Sequence, residues 1–299
     1  MSRKVDQIPT CFLKICRLND EKQKKFIHQI PLLCMKNELI ELAAAILQTA
    51  ETEGIEMRLL GGIAFWERCP NAREIVYRTR FFKDIDLAAK VRDKAKIESI
   101  FHHKWNFYLD PDSGTIPGSL LSRYYVQKEK ELKEVCEINY DVLKYCHDID
   151  IRDRLSIDKI TIPLAELMLS KLQIIDLASQ DIVDLFALLL DHELGDCDGE
   201  KININVILNL CRRKWGLEKT VRTNLNRIEH EAFASDILSQ IQKEKIIRQI
   251  KFLFSRLSES TKSFSWKFRS IFGEILPWYN KVESPRDGII LAIEYGSNY

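Results

Sequence analysis

Apolar positions recur near a helical period through residues 20–53, where Leu32, Leu33, Met35, Leu39, Leu42, Ala43 and Ile46 fall on one stripe. Gly54 marks the end of that helix. Residues 57–60 then form a short apolar run that predicts a buried strand, with Gly61-Gly62 as its turn and 63–67 starting a helix. Pro70, Asn71 and the arginines Arg68, Arg73, Arg78 and Arg80 make 68–82 mostly loop. The pattern predicts a strand over 85–89, a helix over 93–103 and a strand over 105–109.

Asp110-Pro111-Asp112-Ser113-Gly114 is a turn signal. Two more strands are expected over 122–127 and 135–142, divided by a charged segment. Beyond it the period is almost entirely helical. Pro163 suits a first helical turn, leading a helix through Leu177. Ser179 suits the N-cap of a helix ended by Gly195. Further helices are expected over 203–213, 217–232, 235–258 and 262–279, with Trp266, Phe268, Ile271 and Phe272 in the core. The expected architecture is an α/β unit over residues 1–155, then a helical unit over 156–299.

Composition narrows the class. The chain has 299 residues, 45% hydrophobic and 30% charged, as in a globular protein. No apolar run is long enough to span a membrane. The start, Met1-Ser2-Arg3-Lys4, has no apolar stretch after it, so no secretory signal is expected. Eight cysteines lie scattered without C-x-x-C spacing, which reads as reduced thiols in a cytoplasmic protein. The net charge of +1 hides a division: residues 201–299 carry 17 Lys and Arg against 10 Asp and Glu. A basic half of this kind suits a polyanion, although helical regions often drift basic.

The chemistry concentrates in the first third. Asp84 and Asp86 are two apart on an expected strand, so both leave the same face. Paired carboxylates repel, and a divalent cation between them reverses the sign. Mg²⁺ favours a few carboxylate oxygens together with water and substrate phosphates. Two metals can clamp both oxygens of a phosphoryl displacement. A third carboxylate is expected from a neighbouring strand. Glu137 is preferred for its place in the apolar part of that strand, with Asp141 as the alternative. Gly61 and Gly62 allow a phosphate to approach the backbone at a helix start. The basic-aromatic run Arg212-Arg213-Lys214-Trp215 suits either a helix end with a packed Trp or a nucleic-acid contact.

Leu60-Gly61-Gly62 followed by Asp84-Ile85-Asp86 resembles the nucleotidyltransferase superfamily that includes DNA polymerase beta. Within it the chain looks most like minimal-type bacterial and archaeal nucleotidyltransferases, including toxin components of abortive-infection systems. Their Arg before Asp-x-Asp is matched by Arg80, their helical Lys by Lys171, and their Asp-x-x-Asp by Asp181 and Asp184. The interval from Gly62 to Asp84 is longer than in many members, and Gln180-Asp181 stands where Lys-Asp is frequent.

The resemblance covers roughly residues 55–195. It implies metal-dependent transfer of a nucleotidyl group from a nucleoside triphosphate, such as ATP, to an acceptor hydroxyl on RNA, protein or a small molecule. Asp84, Asp86 and Glu137 (or Asp141) are then expected to hold Mg²⁺ or Mn²⁺. Gly61, Gly62, Arg80, Lys171, Asp181 and Asp184 are expected at the nucleotide. Asp84, Asp86, Glu137 and Lys171 form the catalytic set. A small antitoxin is an implied partner. The alternative is a nucleotide-binding or regulatory protein without turnover on the same fold.

Overall fold

The computed structural model describes residues 36–73, 82–110, 119–128 and 131–281. Arg80 lies outside the described residues, as does most of the expected 110–114 turn.

Helix α1 (Lys36–Thr52) ends at Gly54, whose φ of +69° is a left-handed conformation that glycine adopts without strain. Strand β1 (Met57–Leu59) leads into helix α2 (Gly61–Arg68). Strand β2 (Ile85–Ala89) follows, then a 3₁₀ turn at Val91–Asp93 and helix α3 (Lys94–Trp105). Trp105 closes this helix instead of opening a strand, because Asn106 takes the left-handed φ of 54° and stops it. What remains of the expected strand is the two-residue β3 (Tyr108–Leu109). Strands β4 (Leu121–Lys128) and β5 (Glu131–Tyr140) pair antiparallel and take in part of the charged segment.

The sheet is mixed, in the order β1-β2-β5-β4-β3. Only β2 and β5 run parallel; β1 with β2, β5 with β4, and β4 with β3 are antiparallel. Alternation sorts the two faces. Leu87, Cys136, Ile138, Tyr124 and Tyr140 are buried, and Phe101 of α3 meets the Tyr124 ring edge-on at 4.7 Å between centroids. Asp86, Glu137 and Arg123 belong to the other face.

Two short strands, β6 (Val142–Lys144) and β7 (Asp148–Asp150), form a small ribbon that periodicity does not reveal. Helices α4 (Leu164–Leu172) and α5 (Ser179–Asp191) follow. Ala178, not Ser179, occupies the N-cap of α5, with Asp181 accepting from its backbone N–H. Gly195 sits in β8 (Leu194–Gly195), which runs parallel to β9 (Ile202–Asn203).

The rest is helical: α6 (Ile204–Cys211), α7 (Trp215–Ala234), α8 (Gln240–Glu259) and α9 (Phe264–Phe272). One apolar cluster runs from Leu39 to Leu257 and includes buried residues of the sheet and of α4, α5, α7 and α8. Helix α9 buries none of its residues, so the expected core role of Trp266, Phe268, Ile271 and Phe272 is corrected. Gly273, at φ +50°, ends it, and 274–281 form no helix. No helix among the described residues is long and apolar enough to cross a membrane.

Candidate active site

Strand β2 exits a loop with Asp84 just before its first residue and Asp86 at its second. The parallel register sets Asp86 opposite Glu137, and the antiparallel register sets Glu137 opposite Arg123. All three side chains therefore rise from the same face of neighbouring strands. Arg123 Nε donates to Glu137 Oε2 at 3.0 Å, and Asn139 Nδ2 lies 3.5 Å from Oε1. Asp141 falls past the end of β5. Its φ is 59°, and its carboxylate accepts the Val91 N–H at 3.1 Å, so it caps the turn beyond β2. The register thus groups Glu137, not Asp141, with Asp86.

The glycine turn meets the carboxylates directly. Leu60 N donates to the Asp86 backbone carbonyl at 2.9 Å, which fixes the start of α2 against β2. Gly61 has φ +62°, and a Cβ placed there would lie 1.7 Å from Asp86 Oδ2. The absence of a side chain at Gly61 makes room for the Asp86 carboxylate itself. No side chain caps α2, so the unpaired amides of its first turn begin beside this acid.

Burial pushes the Asp86 carboxyl up to about 8, reinforced by the like charges of Asp84 and Glu137 and opposed by Lys171. The direction is what repulsion among convergent acids requires. Lys171, from the last turn of α4, lies 2.6 Å from Asp181 Oδ1 and 3.3 Å from Asp184 Oδ2. Asp184 is fully buried. The three-residue spacing on α5 places both acids around one ammonium.

Several residues join the site that periodicity did not reveal. The β4–β5 register skips Val135 between Tyr124↔Cys136 and Tyr125↔Glu134. This bulge turns Glu134 onto the face of Glu137, where simple alternation would have sent it to the opposite side. Burial raises Glu134 to about 7, with Glu137 and Asp84 adding to the effect. Arg123 and Tyr145 are the others. Tyr145 OH accepts from Asn139 Nδ2 at 3.4 Å, and burial followed by the charges of Asp86 and Glu137 raises its hydroxyl. No signal in the sequence marked Arg123, which comes to Glu137 only through the β4–β5 register.

The donor set is all hard oxygen, which matches Mg²⁺ or Mn²⁺ chemically. Among the described residues, however, no group of three or more His, Cys, Asp or Glu side chains stands arranged to hold a metal ion. Glu137 is engaged by Arg123 as the side chains lie. Comparison with protein-family models, curated proteins and solved structures returns no match.

Proposed function

We propose that this chain is a metal-dependent nucleotidyltransferase of the polymerase-beta-like type, moving a nucleotidyl group from a nucleoside triphosphate to an acceptor hydroxyl. The observation that carries the reading is the register pairing of Asp86 with Glu137, with Asp84 just before the same strand and Gly61, the first residue of α2, against Asp86. Three acids and an uncapped helix start then border the same space.

Asp84, Asp86 and Glu137 would hold the cation. When bound, it would neutralise triphosphate charge and acidify an attacking hydroxyl. The amides that open α2 would face a phosphate, the role left to Gly62 once Gly61 is committed to Asp86. Lys171 would add positive charge at the phosphates. Asp181 and Asp184 would act through Lys171, fixing where its ammonium points.

The test combines the protein with Mg²⁺, each labelled nucleoside triphosphate, and total RNA and protein. Label transfer is expected, and it should vanish in Asp84→Ala/Asp86→Ala. Transfer unchanged in that variant removes the assigned site.

A second reading, nucleotide binding without turnover, is favoured by the Arg123–Glu137 ion pair and by the absence of a formed ligand cluster among the described residues. It predicts thermal stabilisation by nucleotide with no label transfer to any acceptor.

A further inference from the structure

The basic-aromatic run at 212–215 and helix α9 are about fifty residues apart in sequence, yet they form one surface. Ser263 N donates to the Arg212 carbonyl at 2.9 Å, and Ser265 Oγ lies 3.5 Å from the Arg213 carbonyl. This fixes the start of α9 beside Arg212 and Arg213. Phe264 and Phe268, one helical turn apart, are 84% and 56% exposed. Lys267 lies between them and is exposed, as are Arg212 and Arg213.

The nearby cations divide into two kinds. Lys262 reaches Glu218 at 2.7 Å and two further acceptors. Arg269 donates to the carbonyls of Gly273, Leu276 and Pro277 and stacks on Trp215 at 5.0 Å. Lys219 pairs with Glu274. These three hold the segment in place. Arg212, whose Nη1 lies 3.5 Å from Asn209 Oδ1, and Arg213 and Lys267 are instead exposed around two exposed aromatic rings.

The surface is also joined to the carboxylates. Lys214 Nζ donates to the Asp148 carbonyl at 2.6 Å. Asn280 N donates to the Cys146 carbonyl at 2.9 Å. Both clamp the loop that carries Tyr145, which reaches Asn139 beside Glu137.

We propose that Arg212, Arg213, Phe264, Lys267 and Phe268 hold a single strand of nucleic acid, whose terminal hydroxyl is the acceptor of the transfer. This rests on the nucleotidyltransferase reading. Exposed rings interleaved with cations are the elements of a stacking platform: each ring accepts the face of any base, and the cations track the phosphates. A second copy of the chain is a poor occupant, since a symmetric contact sets Arg212, Arg213 and Lys267 against their own like charges.

The experiment measures fluorescence anisotropy of labelled single-stranded RNA and single-stranded DNA, each roughly 20 nucleotides. The expected result is binding at ~50 mM salt that weakens steeply as salt rises. Arg212→Ala/Arg213→Ala should reduce the salt slope by about 1.4, the value for two lost phosphate contacts on a single strand. Phe264→Ala/Phe268→Ala should weaken binding at least about tenfold with the slope unchanged. All four sites are exposed, and a thermal melt of each variant checks that it folds. The RNA and DNA arms decide which strand the surface holds, and label transfer to that strand tests its terminal hydroxyl as the acceptor.

Asp84→Ala/Asp86→Ala should bind as wild type, which separates this surface from the reaction. Loss of label transfer with binding intact supports both readings. Absence of binding to either strand at ~50 mM salt overturns the surface, as does equal binding by the phenylalanine variant. A protein partner then becomes the better occupant, seated on the exposed Ile271 at the end of α9 and Ile275 just beyond it.

Discussion

Two of the groups of buried or half-buried carboxylates among the described residues differ in their electrostatic surroundings. In the loop between β7 and α4, Arg154 binds Glu166 and Asp198, and Arg68 binds Asp158 at 2.8 Å. Asp158 also accepts the N–H groups of Ile160 and Thr161 at 2.8 and 3.0 Å. Each acid there has a guanidinium; hydrogen bonding to Arg154 holds Asp198 below the usual carboxylate range, while burial raises Glu166 against the pull of Arg154. At the sheet, Asp86 meets Asp84, Glu137 and Glu134 as like charges and Lys171 as an opposing one. The first arrangement fastens a loop. The second holds stored repulsion, which a fold tolerates where a ligand later supplies the missing positive charge.

The largest effect that would break this contrast comes from the clasp. Glu166 is 1% exposed, so Arg154→Ala leaves a buried acid without its guanidinium. A loss of about 3–5 kcal/mol is expected, read as a fall in the urea midpoint. A loss below about 1 kcal/mol would mean that the loop is held by its apolar contacts.

How much of this was legible in the sequence follows from the same contrast. Strand β2 was readable to the residue, because Ile85 and Leu87 alternate with Asp84 and Asp86 and the acids stand out. The pairing of β2 with β5 was not, since strand neighbours depend on topology; that is why Glu137 and Asp141 stayed open. Glu134 was hidden by the Val135 bulge, which breaks the alternation that sequence reading depends on. Helix α9 misled for a different reason. Its apolar spacing is truly helical, but period alone does not say whether a stripe meets a core or solvent. The clasp escaped notice because its members, Arg154, Glu166 and Asp198, are far apart in sequence.

A medium-sized effect tests whether Gly61 serves Asp86 rather than a phosphate alone. Gly61→Ala places a methyl against the Asp86 carboxylate in a left-handed backbone conformation. The change should cost about 2–3 kcal/mol in the protein without ligand. Asp86→Ala in the same chain should recover part of it, with a coupling energy of about 1 kcal/mol or more in a double-mutant cycle. Simple additivity would show that the strain lies in the backbone and that the close approach of Asp86 has no energetic weight.

The smallest effect has the opposite sign. Asp86 has its carboxyl raised in the folded state, so between about pH 4 and 8 the native chain holds a proton that the unfolded chain has released. Its contribution to stability is therefore present at low pH and lost as pH rises through that window. Glu134, raised to about 7, slopes the same way. Asp198, held low by Arg154, slopes against them, with stability lost as pH falls. Asp86→Asn removes the charge while keeping the shape. It should stabilise the metal-free protein by about 1–2 kcal/mol at pH 8, with little change at pH 4. Melting temperature against pH measures this directly. Mg²⁺ should raise the melting temperature of the wild type and leave the variant unmoved. A variant less stable than wild type at pH 8 would mean that Lys171 already balances Asp86, and the distinction between the two acidic groups would collapse.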